Sequence, residues 1–145
     1  MTRRTPALYL LALSASFLLP DSVSADLSVY RWKNRILLVN TARDQHGKVV
    51  AALRQHRSGL LDRDLVVIDL SFHDKRIPQS IRPAAADLDS LRSRYGLTGE
   101  SGCVFLLVGK DGGLKARQSG ELNLSRLFAL IDTMPMRREE MRSRS

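Results

Sequence analysis

Ile36-Leu37-Leu38-Val39 is an unbroken apolar run, and it constrains the fold more than any other segment. A strand with one wet face alternates apolar and polar residues. A continuous run fits a strand buried on both faces. Such a strand needs cover above and below, which points to a sheet held between helical layers.

The rest of the chain supplies those elements. Asp26 to Arg35 reads as a short edge strand or a turn, with Arg31, Lys33 and Arg35 alternating with Trp32 and Asn34. Thr41 to Gln45 is polar, with Asp44 as N-cap of a helix running to about Ser58. Val49, Val50, Ala52 and Leu53 would face inward, and Lys48, Arg54, His56 and Arg57 would face water. Gly59 reads as the C-terminal stop. Leu65 to Leu70 is a second strand. It places Val66, Ile68, Leu70 and Phe72 on one face and Asp69, Ser71 and His73 on the other. His73 to Pro83 is a polar loop.

Ala84 to Tyr95 reads as a helix with Ala84, Leu88, Leu91 and Tyr95 on one side. Asp87 and Asp89 lie near its start and Arg92 and Arg94 near its end, matching the macrodipole. Gly96 ends it. Cys103 to Val108 is a third strand, and Lys110-Asp111-Gly112-Gly113 is a hairpin turn leading to a return strand, Leu114 to Gln118. The last helix starts at Asn123 or Ser125, with Leu124, Leu127, Phe128, Ile131 and Met134 as its apolar stripe. Pro135 interrupts it, and the charged tail from Arg137 to Ser145 is expected to fray. A βαβ unit, a helix, a β-hairpin and a helix need one parallel and one antiparallel pairing. That is the order of a thioredoxin-like α/β fold, three-layer α/β/α with a mixed sheet.

The N-terminus carries an address. Arg3 and Arg4 precede an apolar run from Ala7 to Leu19, Pro20 breaks it, and Val23-Ser24-Ala25 has the small-residue pattern of a cleavage site. Residues 1–25 read as a secretory signal peptide, too short to span a bilayer comfortably. The alternative is an uncleaved anchor. Cleavage near Ala25 would release a periplasmic or extracellular protein that touches membrane only in transit. It takes away two Arg and one Asp, leaving 120 of 145 residues and lowering the net charge from +8 to +7. The domain reading is 26–136, with 137–145 as tail. One cysteine excludes an internal disulfide framework and any multi-Cys metal cluster.

Four segments carry more than topology: Arg31-Trp32-Lys33-Asn34-Arg35, Arg63-Asp64-Leu65-Val66-Val67, Gly109-Lys110-Asp111-Gly112-Gly113, and Ile131-Asp132-Thr133-Met134-Pro135-Met136-Arg137-Arg138. In them the chain resembles a family of short exported bacterial proteins built on a domain of unknown function. A similar domain occurs in vertebrate sushi-repeat and coiled-coil extracellular-matrix proteins. The resemblance covers nearly all of the mature chain. It implies a thioredoxin-like, peroxiredoxin-related fold with no activity established for the family.

Redox-active thioredoxins place Cys-x-x-Cys at a helix N-terminus after the first core strand. Here that region is Thr41 to Lys48, without sulfur. Their cis-proline has no counterpart near Cys103 or Val104. Asp44, Gln45, His46 and Lys48 would then be a relic active-site loop, with no acid–base partner visible in the sequence.

Cys103 is the sole candidate nucleophile. It opens a strand, no helix N-terminus follows it, and no base is near in sequence. A buried small hydrophobe is the plainer reading, and pairing between chains is another. Asp69 and His73 share a strand face and are weak candidates for metal binding. Gly109 to Gly113 is a hairpin, not a P-loop, because a strand follows it.

Basic residues spread over Arg31, Lys33 and Arg35, Arg54 and Arg57, Arg92 and Arg94, and Arg137, Arg138, Arg142 and Arg144 suit an anionic envelope component or a protein partner. Export and few aromatics disfavour nucleic acid. The expected function is a non-catalytic binding or structural module with no cofactor. The alternative is a single-Cys thiol oxidoreductase or peroxidase using Cys103.

Overall fold

The computed structural model describes residues 27–145. The signal-peptide reading of residues 1–25 lies outside the described residues. Leu27–Tyr30 is a short 3-10 helix, where an edge strand or turn was expected. The sheet begins at Arg35, because Trp32 at φ 66° turns the chain and donates its N–H to the Lys110 carbonyl (2.7 Å).

Four strands follow: β1 (Arg35–Asn40), β2 (Leu65–Asp69), β3 (Val104–Val108) and β4 (Leu114–Ser119). Their order in the sheet is β2-β1-β3-β4. β1 pairs with β2 in parallel and with β3 antiparallel, and β3 pairs with β4 antiparallel, so the sheet is mixed. The helices are α1 (Arg43–Gln55), α2 (Arg57–Asp62), α3 (Ala85–Arg94), α4 (Leu124–Thr133) and α5 (Pro135–Ser143).

The apolar run does what its continuity demands. Leu37 and Val39 pack with Val49, Val50 and Leu53 of α1, Leu60 of α2, and Leu124, Leu127 and Ile131 of α4. Ile36 and Leu38 point the other way, to Leu88 and Leu91 of α3 and to Leu97. Strand alternation divides one run between two cores. The fold is the expected three-layer α/β/α arrangement.

Several boundaries differ from expectation for local reasons. Ala42, not Asp44, is the N-cap of α1, because the backbone is extended there and Asp44 already lies in the first turn. The helix expected to end at Gly59 breaks earlier, at His56, and α2 runs through Gly59. That glycine is a packing residue, because a Cβ there would stand 2.6 Å from Cε2 of Phe128. Ala84 is exposed, and Phe72 is partly exposed instead of joining the core.

The largest correction concerns the C-terminus. Pro135, at the first turn of α5, starts a helix instead of ending order. Arg137 is 3% exposed and Arg35 is 1% exposed, so neither belongs to the basic surface expected of them. Arg35 forks onto Glu140 through both terminal nitrogens (3.1 and 3.2 Å), and Lys110 reaches the same carboxylate (2.6 Å) and Asp64 (2.9 Å). Arg137 bonds Asp132 (3.1 Å), the Asp62 carbonyl (2.7 Å) and the Asp62 carboxylate. Arg63 joins Asp132 (2.7 Å) and stacks over Phe128. These charges hold α5 against the ends of β1 and β2. Burying an arginine is tolerable only with such pairing.

Candidate functional site

The N-terminal end of α1 opens onto a polar-and-apolar cleft, about 590 Å3 in volume. Strand β1 delivers the chain there. Asn40 donates from its side chain to the Gly102 carbonyl (2.9 Å), which draws the start of β3 beside the start of α1. The antiparallel register sets Asn40 opposite Val104. Cys103 therefore sits directly against α1.

Its sulfur accepts the Ala42 N–H at 3.4 Å, the sole hydrogen bond to that sulfur among the described residues. The thiol is 7% exposed. No helix N-terminus follows Cys103 in the chain, but the fold brings one to it from elsewhere. No base lies within hydrogen-bond reach of it among the described residues.

Asp44, Gln45 and Lys48 line the cleft with Cys103. Asp44 accepts from the Gln45 side chain (3.0 Å). Val49, Ala52 and Leu122 give the cleft an apolar floor, and Gly120 and Glu121 close its far side. Gly120 takes φ 87° and donates its N–H to the Cys103 carbonyl (2.9 Å) as the chain leaves β4. Sequence reasoning missed Gly120, Glu121 and Leu122. Counting outward from the Asp111-Gly112 turn would have paired Val104 with Ser119 and found them.

His46 parts company with the rest of the loop. It is buried behind α1, with Nδ1 2.8 Å from the Thr41 hydroxyl and Nε2 3.0 Å from Asp74. Phe72 meets its ring edge-on at 4.6 Å. The bidentate Arg76 contact holds the Asp74 carboxyl far below the usual carboxylate range, with further help from His46. The ionised carboxylate accepts only, so Nε2 carries the hydrogen between them. In the neutral ring, Nδ1 then accepts from Thr41. The order hydroxyl, imidazole, carboxylate is that of a nucleophile triad. Thr41, however, is buried and lines neither this cleft nor the shallow one beside Phe72 and Arg76. The chain of hydrogen bonds ties β1 to the loop after β2.

The metal candidates separate. Asp69 accepts three backbone N–H groups, from Ser71, Phe72 and Asp74, and so shapes a turn. The imidazole nearest to it is His46 (3.9 Å), not His73. No group of three or more metal-ligating side chains gathers among the described residues. Of the basic candidates, Arg31, Lys33 and Arg138 are exposed, while Arg35 and Arg137 are internal. No helix among the described residues is long and apolar enough to cross a membrane.

Two solved structures share this architecture. The reduced 2-Cys peroxiredoxin of Plasmodium vivax superposes with a TM-score of 0.59 at 13% identity, covering 78% of this chain and 84% of that one. The mitochondrial 2-Cys peroxiredoxin of Plasmodium falciparum gives 0.53 at 10% identity, covering 74% and 79%. The fold is thioredoxin-like, of the peroxiredoxin kind, and at such identities the likeness speaks for the fold alone. No curated protein matches the sequence. Residues 26–140 match the family described as "Domain of unknown function (DUF4174)", and the chain belongs to that family.

Proposed function

We propose that this domain is an exported, non-catalytic binding module that uses the cleft at the start of α1 to hold a ligand or a segment of a partner. One observation carries the reading. The first turn of α1, Arg43 to His46, holds no sulfur, while the cleft beside it remains open and mixes charged residues with an apolar floor. Concave sites of that size and makeup are the usual places for ligands. The covered thiol without a base supports a passive role for Cys103. Export rests on the pattern of residues 1–25, and mass spectrometry of protein secreted from a bacterial host would find Asp26 at the N-terminus.

The test uses the domain from Asp26 as bait in its native envelope, beside a Lys48→Glu variant. Capture of one partner that the variant loses supports the reading. Equal capture by both refutes the cleft as the binding surface.

A second reading has one observation in its favour. An N–H at a helix N-terminus directed at the sulfur is the setting in which redox thiols work. As a single-Cys peroxidase, the thiol would take one oxygen from a peroxide to become a sulfenic acid, releasing water or an alcohol. Peroxide consumption by the purified protein, abolished by Cys103→Ser, would replace the first reading with this one.

A further inference from the structure

We propose that a second cleft, between the junction of α1 with α2 and the loop after β2, binds a small ligand carrying two or more adjacent phosphate groups. The cleft measures about 530 Å3 and is lined by Arg54, Arg57, Lys75, Arg76, Ile77, Pro78 and Gln79. Four cations line it and no carboxylate does. Arg76 is matched by Asp74. The exposed side chains of Arg54, Arg57 and Lys75 have no ion pair or hydrogen bond with any described residue. The buried arginines Arg35 and Arg137, by contrast, are matched to carboxylates at Glu140 and Asp132. Here three positive charges from two separate segments converge without an internal counter-charge.

The loop that supplies Lys75 and Arg76 is anchored. Ile77 is 2% exposed and packs in the core beneath α1. Val67 of β2 donates to the Gln79 carbonyl (3.0 Å) and accepts from Ile81 (2.8 Å). Asp74 fixes the Arg76 guanidinium through Nε (3.0 Å) and Nη2 (2.6 Å). The cations are thus presented on fixed backbone, which lowers the ordering cost of binding. Guanidinium groups take phosphate oxygens in pairs and lysine adds a point charge. A single phosphate carries about −1.5 to −2, short of three unmatched cations, so adjacent phosphates fit the charge better than one. A concave site of this volume suits a small molecule.

Isothermal titration with inorganic tripolyphosphate tests this on the domain from Asp26. The expected result is one ligand per chain, with affinity falling about tenfold between roughly 50 and 200 mM salt. Arg57→Gln and Lys75→Gln should each weaken binding about tenfold or more, as loss of a charge-assisted contact does. Arg138→Gln, an exposed cation on α5, should leave it unchanged. All three positions are exposed, and an unaltered urea midpoint checks that each variant folds. Absence of binding, a stoichiometry above one, or equal weakening by Arg138→Gln overturns the proposal. Binding to phosphatidylglycerol vesicles without binding to tripolyphosphate overturns it too, because the site would then read a lipid surface.

Discussion

The Ala42 amide directs its hydrogen at the Cys103 sulfur across 3.4 Å, so the one thiol of the chain lies at the start of α1 although it belongs to the third strand's approach. Burial and electrostatics pull in opposite directions there. At 7% exposure, access governs the rate. A disulfide reagent such as Ellman's should label Cys103 at least about tenfold more slowly in the native protein than in guanidinium, because labelling waits for local opening. Faster labelling in the native state would favour the peroxidase reading.

Glu140 answers two buried cations, Arg35 and Lys110. Glu140→Gln leaves Arg35 without a carboxylate, while Lys110 keeps Asp64. The expected loss of stability is about 3–5 kcal/mol, the usual cost of orphaning a buried charge. Arg35→Met should cost less, since Glu140 keeps Lys110 and the removed arginine is replaced by apolar volume. Urea denaturation of the two variants gives the order, and a smaller loss in Glu140→Gln would show that α5 is held by its apolar contacts instead.

The same contacts set an acid limit. Burial pushes the Glu140 carboxyl up, but Arg35 and Lys110 outweigh it and the net shift is downward. Asp132 behaves alike, with burial opposed and outweighed by Arg63 and Arg137. A carboxylate whose folded pKa is lowered stabilises the native state above its unfolded pKa and loses that contribution as acid protonates it. Stability should be level from neutral pH to about 4.5 and then fall as pH drops further. Urea midpoints measured against pH check this, and the acid loss should shrink in Glu140→Gln.

Gly59 lies inside α2, where alanine would ordinarily help by about 1 kcal/mol. The sign should reverse here, because the added methyl meets the Phe128 ring at 2.6 Å. Gly59→Ala is expected to destabilise by about 1–3 kcal/mol, as overpacking does. Adding Phe128→Leu should recover part of that loss. A double-mutant cycle with no coupling would refute the contact.

The parts of the fold legible in the sequence were those with local signals. The run at Ile36, the Asp111-Gly112 turn and the Asn123 cap are each set by a few adjacent residues. What stayed hidden depends on which strands become neighbours. The register that sets Asn40 opposite Val104 is what carries Cys103 to α1. Without that pairing, Cys103 and Ala42 are 61 positions apart and unrelated. Charge misled in a different way. Arg35 and Arg137 look like surface residues because most arginines are, and the partners that bury them, Glu140 for Arg35 and Asp62 for Arg137, are distant in the chain. Asp44, Gln45 and Lys48 lie on the cleft by virtue of their place on one helix. The partner of His46, Asp74, comes from another segment.

The fork from Arg35 to Glu140 spans 105 positions of chain. A growing chain makes the first strand long before it makes the carboxylate that neutralises it. Until residues 135–143 have been synthesised, the buried Arg35 of β1 has no carboxylate to answer it, and closure of the domain is opposed. The C-terminal helix therefore acts as a latch on the first strand: closure of the domain waits for residues 135–143 to arrive.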